Sequence, residues 1–229
     1  MQINLSPRLQ CIADYVVPGS RVIDVGTDHA YVPIWLLQNR ICSSAAATDI
    51  RPGPLKNAAF DAEKYGVSDC LKLILCDGLT GCTPDMADTL ILAGMGGETI
   101  MGILNTSPWA LEQHLILQPQ TKKSELRSWL KARGLCVLDA VLAYDAGRIY
   151  LVWSVGKGEM RDCAAIDPIL MEKRDPLLKP YIEDHFKRLR KQIQGMESSE
   201  HSDSELLLSC RRELEELQIL YKEVILWQA

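Results

Sequence analysis

The sequence predicts an α/β fold, in which an open and mostly parallel sheet is covered by helices, ends in an antiparallel hairpin and precedes a helical extension. Three observations predict it. Over residues 1–155 short apolar runs alternate with helical stretches, which is typical of βαβ units. Residues 136–144 and 148–155 are two strand-like runs joined by Asp145, Ala146 and Gly147, which is a hairpin signal. From about residue 181 the apolar pattern has the period of a helix.

Five apolar runs are predicted as the parallel strands, and four segments that alternate with them are predicted as helices. The strands are residues 21–25, 44–48, 71–76, 89–93 and 115–118, and the helices are residues 30–39, 54–65, 98–104 and 124–133. A parallel sheet that ends in an antiparallel hairpin indicates the Rossmann-like class I methyltransferase sheet, because the sheet of a dehydrogenase usually continues parallel. We therefore expect a cofactor-binding methyltransferase domain over residues 1–158.

The second predicted domain is a helical coiled-coil tail over residues 159–229. A Gly-, Asp- and Pro-rich connection leads to two polar helices, which are predicted at residues 181–196 and 203–227. Apolar residues recur every three or four positions, which places one apolar stripe on each helix. The predicted stripe of the second helix includes Leu206 and Ile219. A polar linker joins the helices, so we expect an antiparallel pair.

Composition and charge exclude several classes of protein. Of the 229 residues, 47% are hydrophobic and 24% are charged, as in ordinary globular proteins. The net charge of −5 excludes a uniformly basic nucleic-acid-binding surface but is compatible with a local basic patch. Eight cysteines without CxxC pairs or zinc spacing indicate reduced thiols and no metal site. Since no signal peptide or membrane-length apolar run is present, we expect a cytoplasmic protein with no membrane partner, either a monomer or a weak dimer.

The segment VIDVGTDHAYVP at residues 22–33 predicts a cofactor site. A strand carrying Asp24 ends here, and Gly26 lets the backbone turn close to a ligand before a helix begins. The dinucleotide pattern G-x-G-x-x-G is missing, and acidic Asp28 would repel a pyrophosphate but favour a sulfonium and an ammonium group. We therefore predict S-adenosylmethionine, bound by Asp24, Gly26 and Asp28, rather than NAD. The alternative is a tight turn in which Asp28 caps the helix.

Two further carboxylates follow the next strands along the chain. Asp49 follows the second strand, where a carboxylate can accept both ribose hydroxyls. Asp77 and Gly78 follow the third strand, where a carboxylate can accept a hydrogen bond from the adenine amino group. The alternatives are a turn or capping aspartate at Asp49 and an Asp-Gly turn at Asp77. With a cofactor bound there, we expect Asp28, Asp49 and Asp77 to rim one shared cavity.

Five segments in this order carry a family resemblance: DVGTDHAYVP, TDIRPGPL, CDGL, AGMGG and LILQPQ. They resemble the bacterial tRNA (adenine(22)-N(1))-methyltransferase family, the TrmK type, over essentially the whole chain, although the C-terminal helices match in character only. Thr27, Val32 and Gln120 depart from the residues typical of the family, and Asp49 stands where a Glu is frequent. The resemblance implies an enzyme that transfers a methyl group from S-adenosylmethionine to N1 of an adenine in tRNA, at position 22.

The implied chemistry assigns roles around the pocket. Asp28 is expected to stabilise the positive charge of the methylated base, and His29 to orient the base or the carboxylate. The alternative for His29 is a residue in the first helical turn with a local hydrogen bond. The remaining expected contacts are Gly94 with the cofactor and, with the base, Tyr31, Met95, Gly96, Gly97, Gln118 and Pro119. The alternative for residues 94–97 is a close strand-to-helix turn.

Two basic runs are expected to contact tRNA phosphates. One contains Lys122, Lys123, Arg127 and Arg133, and the other contains Lys187 and Arg188. The alternative for each run is a solvated helix face. The N-terminal residues 5–8 are expected to cap the substrate side. Two other functions stay open at this point: a non-catalytic module that binds cofactor and RNA, and an NAD-type oxidoreductase.

Overall fold

One mixed sheet of seven strands forms the core of the fold in the computed structural model, which describes residues 2–163, 165–198 and 204–228. The strands are β1 (Arg21–Val25), β2 (Ser44–Asp49), β3 (Leu71–Leu75), β4 (Thr89–Met95), β5 (His114–Pro119), β6 (Leu135–Asp145) and β7 (Arg148–Lys157). Their order is β3-β2-β1-β4-β5-β7-β6. β1 to β5 pair in parallel, whereas β7 pairs antiparallel with both β5 and β6. The predicted class I methyltransferase sheet with its antiparallel hairpin is confirmed.

The central parallel strands are buried on both faces, whereas the edge strand β3 is partly exposed. Val22 and Ile23 are neighbours in β1 whose side chains point to opposite faces, and both are fully buried. Val22 packs in one cluster with Ile12, Ile34 and Ala58, which come from three helices. The helices of this unit are α1 (Pro7–Asp14), α2 (Tyr31–Gln38), α3 (Pro52–Tyr65), α4 (Gly97–Thr106) and α5 (Lys123–Lys131). Hence α1, α2 and α3 cover the face to which Val22 points.

The turn of the β6–β7 hairpin is tighter than the sequence predicts. Asp145 pairs with Arg148, so the loop consists of two residues rather than three. Both loop residues, Ala146 and Gly147, have positive φ (48° and 78°), as a type I′ turn requires. The glycine adopts this conformation without a steric penalty.

The chain divides into two compact units, Met1–Met160 and Arg161–Ala229. The second unit contains α6 (Pro168–Glu172), α7 (Leu178–Glu197) and α8 (Ser204–Gln228). The side chains of Glu183 and Tyr221 and of Glu197 and Arg211 bond across α7 and α8, so the two helices run antiparallel.

The buried residues of α8 follow a strict heptad. Cys210, Leu217 and Val224 are buried, whereas Leu206 and Ile219 are 46% and 67% exposed, so their predicted place in the apolar stripe is wrong. The predicted start of this helix at Asp203 lies outside the described residues. Within the described part of the chain, no helix has the length and hydropathy to cross a membrane.

Candidate active site

A cavity of about 430 Å³ opens where β1 and β4 end. The chain order reverses between these two strands, and this switch point is where open α/β sheets bind ligands. The sequence-predicted residues that line the cavity are Asp24, Gly26, Asp28, His29, Tyr31 and Gly94. Arg8, Gln120 and Tyr150 also line it. Residues that are distant in sequence, from α1, the β1–α2 loop, the end of β4 and β7, thus form one site.

Backbone hydrogen bonds hold the loop after β1 against the end of β2. Gly26 has a φ of +72°, and its N–H and that of Thr27 both donate to the carbonyl of Thr48 (2.8 and 2.9 Å). The Thr27 hydroxyl donates to the Asp24 carboxylate (2.6 Å) and accepts from the N–H of Ala30 (3.0 Å). These bonds rigidify the loop that carries the candidate catalytic residues.

Asp28 does not cap α2. The residue that precedes the helix is Ala30, which adopts left-handed dihedrals and makes no side-chain cap. The Asp28 side chain is instead 76% exposed and faces the cavity. The alternative interpretation of Asp28 as a capping residue is therefore wrong, and its carboxylate is available to a ligand.

The electrostatics of Asp24 suit a cationic ligand. Burial raises the pKa of this carboxyl from 3.8 to about 6, and the hydrogen bond from Thr27 opposes the shift. A buried carboxylate of this kind is stabilised by any positive group that enters the cavity. Asp24 and Asp28 are opposed by the single guanidinium of Arg8, so the residues lining the cavity are negative overall.

His29 is held by a long-range contact and not by a local one. Its Nδ1 lies 2.6 Å from Oδ2 of Asp61, a buried residue on α3. With Asp61 ionised, Nδ1 carries a proton and donates it, which fixes the ring orientation. Nε2 then faces Oδ2 of Asp28 at 3.8 Å, and the ring stacks on Tyr31 with centroids 4.8 Å apart. The predicted alternative of a first-turn residue with a local bond is wrong, because α2 begins at Tyr31.

Asp49 and Asp77 lie at the same edge of the sheet but outside this cavity. Adjacent strands are about 4.8 Å apart, so the end of β3 is two strand spacings from the end of β1. Asp49 is buried, and its Oδ1 accepts the backbone N–H of Arg51 (2.8 Å). Asp77 is exposed, and the carbonyl of Gly78 accepts the Thr48 hydroxyl (2.9 Å). Asp28 lines the described cavity and Asp49 and Asp77 lie beyond that lining, so the expectation that all three rim one shared cavity stays a prediction.

The glycine segment after β4 serves two purposes. Gly94 has a φ of +77° and lines the cavity, and a Cβ there would lie 3.7 Å from Nη1 of Arg8. Gly97 is buried, and a Cβ there would lie 2.6 Å from the carbonyl oxygen of Lys122. Gly96 precedes α4, and the methyl group of Met95 approaches Gly26. Gly97 therefore fits the alternative of a close strand-to-helix turn, whereas Gly94 borders the ligand space.

Arg8 links the first helix to the end of β5. Its Nη1 donates to Oε1 of Gln118 (3.1 Å), and its guanidinium lies 5.2 Å from the ring centroid of Tyr150. Gln118 is 1% exposed and Pro119 is also buried, so neither presents itself directly to a base. Their predicted contact with the base stays a prediction; in the structure, the Gln118 side chain positions Arg8 at the cavity.

The basic run around α5 is largely engaged within the protein. Lys122 pairs with Glu125 (3.2 Å), which raises the lysine pKa. Arg127 is 8% exposed, so we do not retain it as a phosphate contact. Arg133 lies over the ring of Trp129 with its Cζ 3.7 Å from the centroid. Lys123 is half-buried, which leaves Lys122 as the more exposed predicted contact.

The predicted basic residues on α7 differ in their surroundings. Lys187 is exposed and lines a groove of the second unit. Arg188 is exposed but forms an ion pair with Asp184 one turn earlier (2.9 Å). The two neighbours are therefore not equivalent, although the sequence presents them as one run.

Sequence reasoning missed Asp61, Gln120 and Tyr150 as site residues. A signal for Asp61 was present, because it follows Ala58 by three positions and precedes Ala62 on the buried face of an amphipathic helix. A carboxylate on such a face requires a partner, which is the His29 ring. Tyr150 gives no local signal, since its place at the cavity depends on how β7 pairs with β5.

Comparisons with known proteins agree with this geometry. A family model described as a methyltransferase domain matches residues 5–153. The tRNA (adenine(22)-N(1))-methyltransferase of Bacillus subtilis (strain 168) is 31% identical over an alignment that covers 98% of each chain.

Solved structures of relatives have the same fold over nearly the whole chain. The B. subtilis m1A22 tRNA methyltransferase TrmK has a TM-score of 0.79 at 27% identity and covers 98% of this chain and 100% of its own. A Streptococcus pneumoniae protein in complex with S-adenosyl-L-methionine has a TM-score of 0.84 at 26% identity and covers 95% of this chain and 100% of its own. With a sheet of this topology and similarity over the full length of these relatives, the chain belongs to the bacterial tRNA (adenine(22)-N(1))-methyltransferase family.

Proposed function

We propose that this protein methylates N1 of adenine 22 in tRNA, with S-adenosylmethionine as the methyl donor. The observation that carries the proposal is the cavity at the ends of β1 and β4, in which two carboxylates face a space next to Gly94. The family relationship supports the same reaction, because the B. subtilis relative is a tRNA (adenine(22)-N(1))-methyltransferase. A tRNA substrate also makes the cytoplasm the compartment in which we expect the protein.

The residues of the site fit this cofactor. S-adenosylmethionine supplies a methyl group on a positively charged sulfonium and also carries an ammonium group. Asp24, whose pKa is raised by burial, would pair with one of these positive groups. The left-handed Gly26 and Gly94 leave the cavity wall without side chains. Asp49 and Asp77, at the next two strand ends, would hold the ribose and the adenine amino group of the cofactor.

Asp28 would stabilise the charge that appears on the substrate. Adenine N1 has an in-plane lone pair, so no strong base is needed and catalysis depends on positioning and electrostatics. The methylated adenine is a cation, and the exposed Asp28 carboxylate lies in the cavity where this charge develops. His29 would orient the base, because Asp61 fixes the imidazole through Nδ1 and the ring stacks on Tyr31 at the cavity.

The target base has to leave the stack before it can react. N1 lies on the Watson–Crick edge, so adenine 22 must be unpaired or extruded to enter the cavity. Tyr31 is 37% exposed at the cavity and would offer its ring to the base. Lys187 in the second unit is an exposed cation that would contact tRNA phosphates. Lys122 in the first unit would do so by exchanging its ion pairs with Glu98 and Glu125 for a phosphate.

The two alternative functions are less well supported. An NAD-type oxidoreductase does not fit a cavity with Asp24 and Asp28 in its lining, since both would repel a pyrophosphate. A non-catalytic cofactor and RNA-binding module would have no use for the exposed Asp28 carboxylate beside an imidazole that Asp61 fixes, because these groups suit a reaction in which positive charge develops.

The direct experiment is methyl transfer from labelled S-adenosylmethionine to unmodified tRNA, followed by nucleoside analysis of the product. We expect label in 1-methyladenosine. Label in another nucleoside would contradict the assigned atom. Cofactor binding without label in any RNA would favour the non-catalytic module.

A further inference from the structure

A groove of about 440 Å³ lies between α7 and α8 in the second unit. Its floor is aromatic: Phe186 from α7 and Tyr221 from α8 meet edge to face, with ring centroids 5.6 Å apart and planes at 88°. Phe186 is 9% exposed, whereas Tyr221 is half-buried and keeps part of its surface accessible. The Tyr221 hydroxyl donates to the Glu183 carboxylate at 2.5 Å, which fixes the ring in the groove.

The rim of this groove is cationic. Lys187 and Arg190 line it from α7, and Lys222 lines it from α8. All three are exposed, and the Arg190 guanidinium lies 5.5 Å from the centroid of the Phe186 ring. They outnumber the one carboxylate of the groove, Glu183, which already accepts the tyrosine hydroxyl. In a chain with a net charge of −5, such a concentration of cations marks a site for an anion.

The combination of an aromatic floor and a cationic rim is specific in its chemistry. Single-stranded nucleic acid binds through bases that stack on aromatic side chains and phosphates that contact Lys and Arg. An inorganic anion would use the rim but leave the accessible part of the Tyr221 ring without a contact. The carboxylates of an acidic peptide would also bind the rim, but they have no flat face to stack on the Tyr221 ring.

We propose that the groove between α7 and α8 is a second RNA subsite, which binds one unpaired nucleotide of the tRNA at a distance in sequence from the catalytic residues. Its phosphate lies between Lys187, Arg190 and Lys222, and its base stacks on Tyr221. The proposal rests on tRNA being the substrate. It adds a contact that recognises the position of an unpaired base in the folded tRNA. The proposal assigns phosphate binding to Arg190 and Lys222, which line the groove. It does not assign it to Arg188, which pairs with Asp184.

The test of the cationic rim compares variants that each lose one cation of the second unit. Dissociation constants for unmodified tRNA are measured over a range of salt concentrations for Arg190→Ala, Lys222→Ala and the control Arg212→Ala. Arg212 is an exposed cation of α8, ten residues and therefore about 15 Å along the helix from Lys222. We expect the two groove variants to bind several-fold more weakly and to lower the salt slope by about 0.7 to 0.9 each, while the control keeps both values.

The test of the floor separates the ring from its hydroxyl. Tyr221→Leu is expected to weaken tRNA binding by about tenfold with an unchanged salt slope, because it removes stacking but no charge. Tyr221→Phe keeps the ring but releases the Glu183 carboxylate, so it is expected to bind tRNA more tightly than Tyr221→Leu and no more tightly than the wild type. Far-UV circular dichroism establishes that each variant retains its helices.

Two results would overturn the subsite. The first is an equal loss of affinity in Arg190→Ala and Arg212→Ala, which would indicate diffuse attraction between charges. The second is unchanged binding by a folded Tyr221→Leu variant. These results differ from a failure of the proposed function, in which the wild-type protein itself leaves tRNA unmethylated.

Discussion

Replacing Asp24 with asparagine removes one charge from the cavity and keeps an oxygen that accepts the Thr27 hydroxyl. Burial raises the pKa of Asp24 from 3.8 to about 6, so the carboxylate is less favourable in the folded protein than in the unfolded chain. One pKa unit corresponds to about 1.4 kcal/mol. A pKa raised from 3.8 to about 6 therefore destabilises the cofactor-free protein by up to about 3 kcal/mol at neutral pH.

The sign of this effect depends on pH. Between pH 3.8 and about 6 the folded protein holds a proton on Asp24 that the unfolded chain has released. The free energy of unfolding therefore falls as the pH rises through this interval. The cost is fully present above about pH 7 and is absent below pH 3.8. Asp24→Asn removes it, so the gain in stability should be larger at pH 8 than at pH 5.

Thermal unfolding without cofactor measures this gain. We expect the Asp24→Asn variant to have a Tm several degrees above that of the wild type at pH 8, since 1 kcal/mol corresponds to about 2–4 °C in a chain of this size. At pH 5 the difference should shrink. The same variant should bind S-adenosylmethionine more weakly, because an amide does not pair with a positive group.

A neighbouring carboxylate provides the control for this experiment. Asp28 lines the same cavity but its side chain is 76% exposed, so Asp28→Asn should change the free energy of unfolding by less than about 0.5 kcal/mol. A Tm for Asp24→Asn equal to or below that of the wild type at pH 8 would refute the assignment of a buried, destabilising charge. An equal gain at pH 5 and pH 8 would refute it as well.

Three further predictions concern catalysis and packing. Asp28→Ala should lower kcat by about 100-fold with little change in cofactor affinity. Asp49→Ala should instead raise the cofactor Kd by about tenfold. Equal effects of either variant on kcat and Kd would contradict these roles. Asp61→Asn should lower kcat by about tenfold at an unchanged cofactor Kd, because His29 loses the contact that orients its ring. Steady-state kinetics measures kcat and calorimetry measures the cofactor Kd. An unchanged kcat would count against this role of Asp61. Gly97→Ala should destabilise the protein by about 1–3 kcal/mol, because its Cβ would lie 2.6 Å from a backbone oxygen. In the same helix Gly102→Ala meets nothing within 4 Å and should stabilise it by about 0.5–1 kcal/mol. Chemical unfolding compares these two variants, and equal effects would contradict the packing argument.

Local patterns were sufficient to predict the strands that carry the site. β1 and β4 are short apolar runs that end close to glycines with positive φ, so both their position and the turn that follows were readable. The first helix was not predicted, because it has only eight residues and only Ile12 and Ala13 among them are buried. The short α6 was not predicted either, because its five residues form barely more than one helical turn.

Contacts between distant residues explain what sequence reasoning missed in the site. His29 and Asp61 are 32 positions apart, and Arg8 and Gln118 are 110 positions apart. Such pairs depend on how α1 and α3 pack on the sheet, which helical periodicity does not specify. The cavity at the end of β1 was predictable because Gly26 and Asp28 directly follow a buried strand. The extent of the cavity along the sheet edge was not predictable, and its lining does not include Asp49.

The central claim is that the cavity at the ends of β1 and β4 places a methyl group on N1 of adenine 22. A methyl group at N1 blocks the Watson–Crick edge, so primer extension on the treated tRNA reports its position directly. We predict that adenine 22 blocks extension, so that the copied strand ends at the nucleotide immediately 3′ to it, and that this stop appears only with S-adenosylmethionine and is strongly reduced in the Asp28→Ala variant. Full-length copying of tRNA treated with the wild-type protein, or a stop at another nucleotide, would contradict the account.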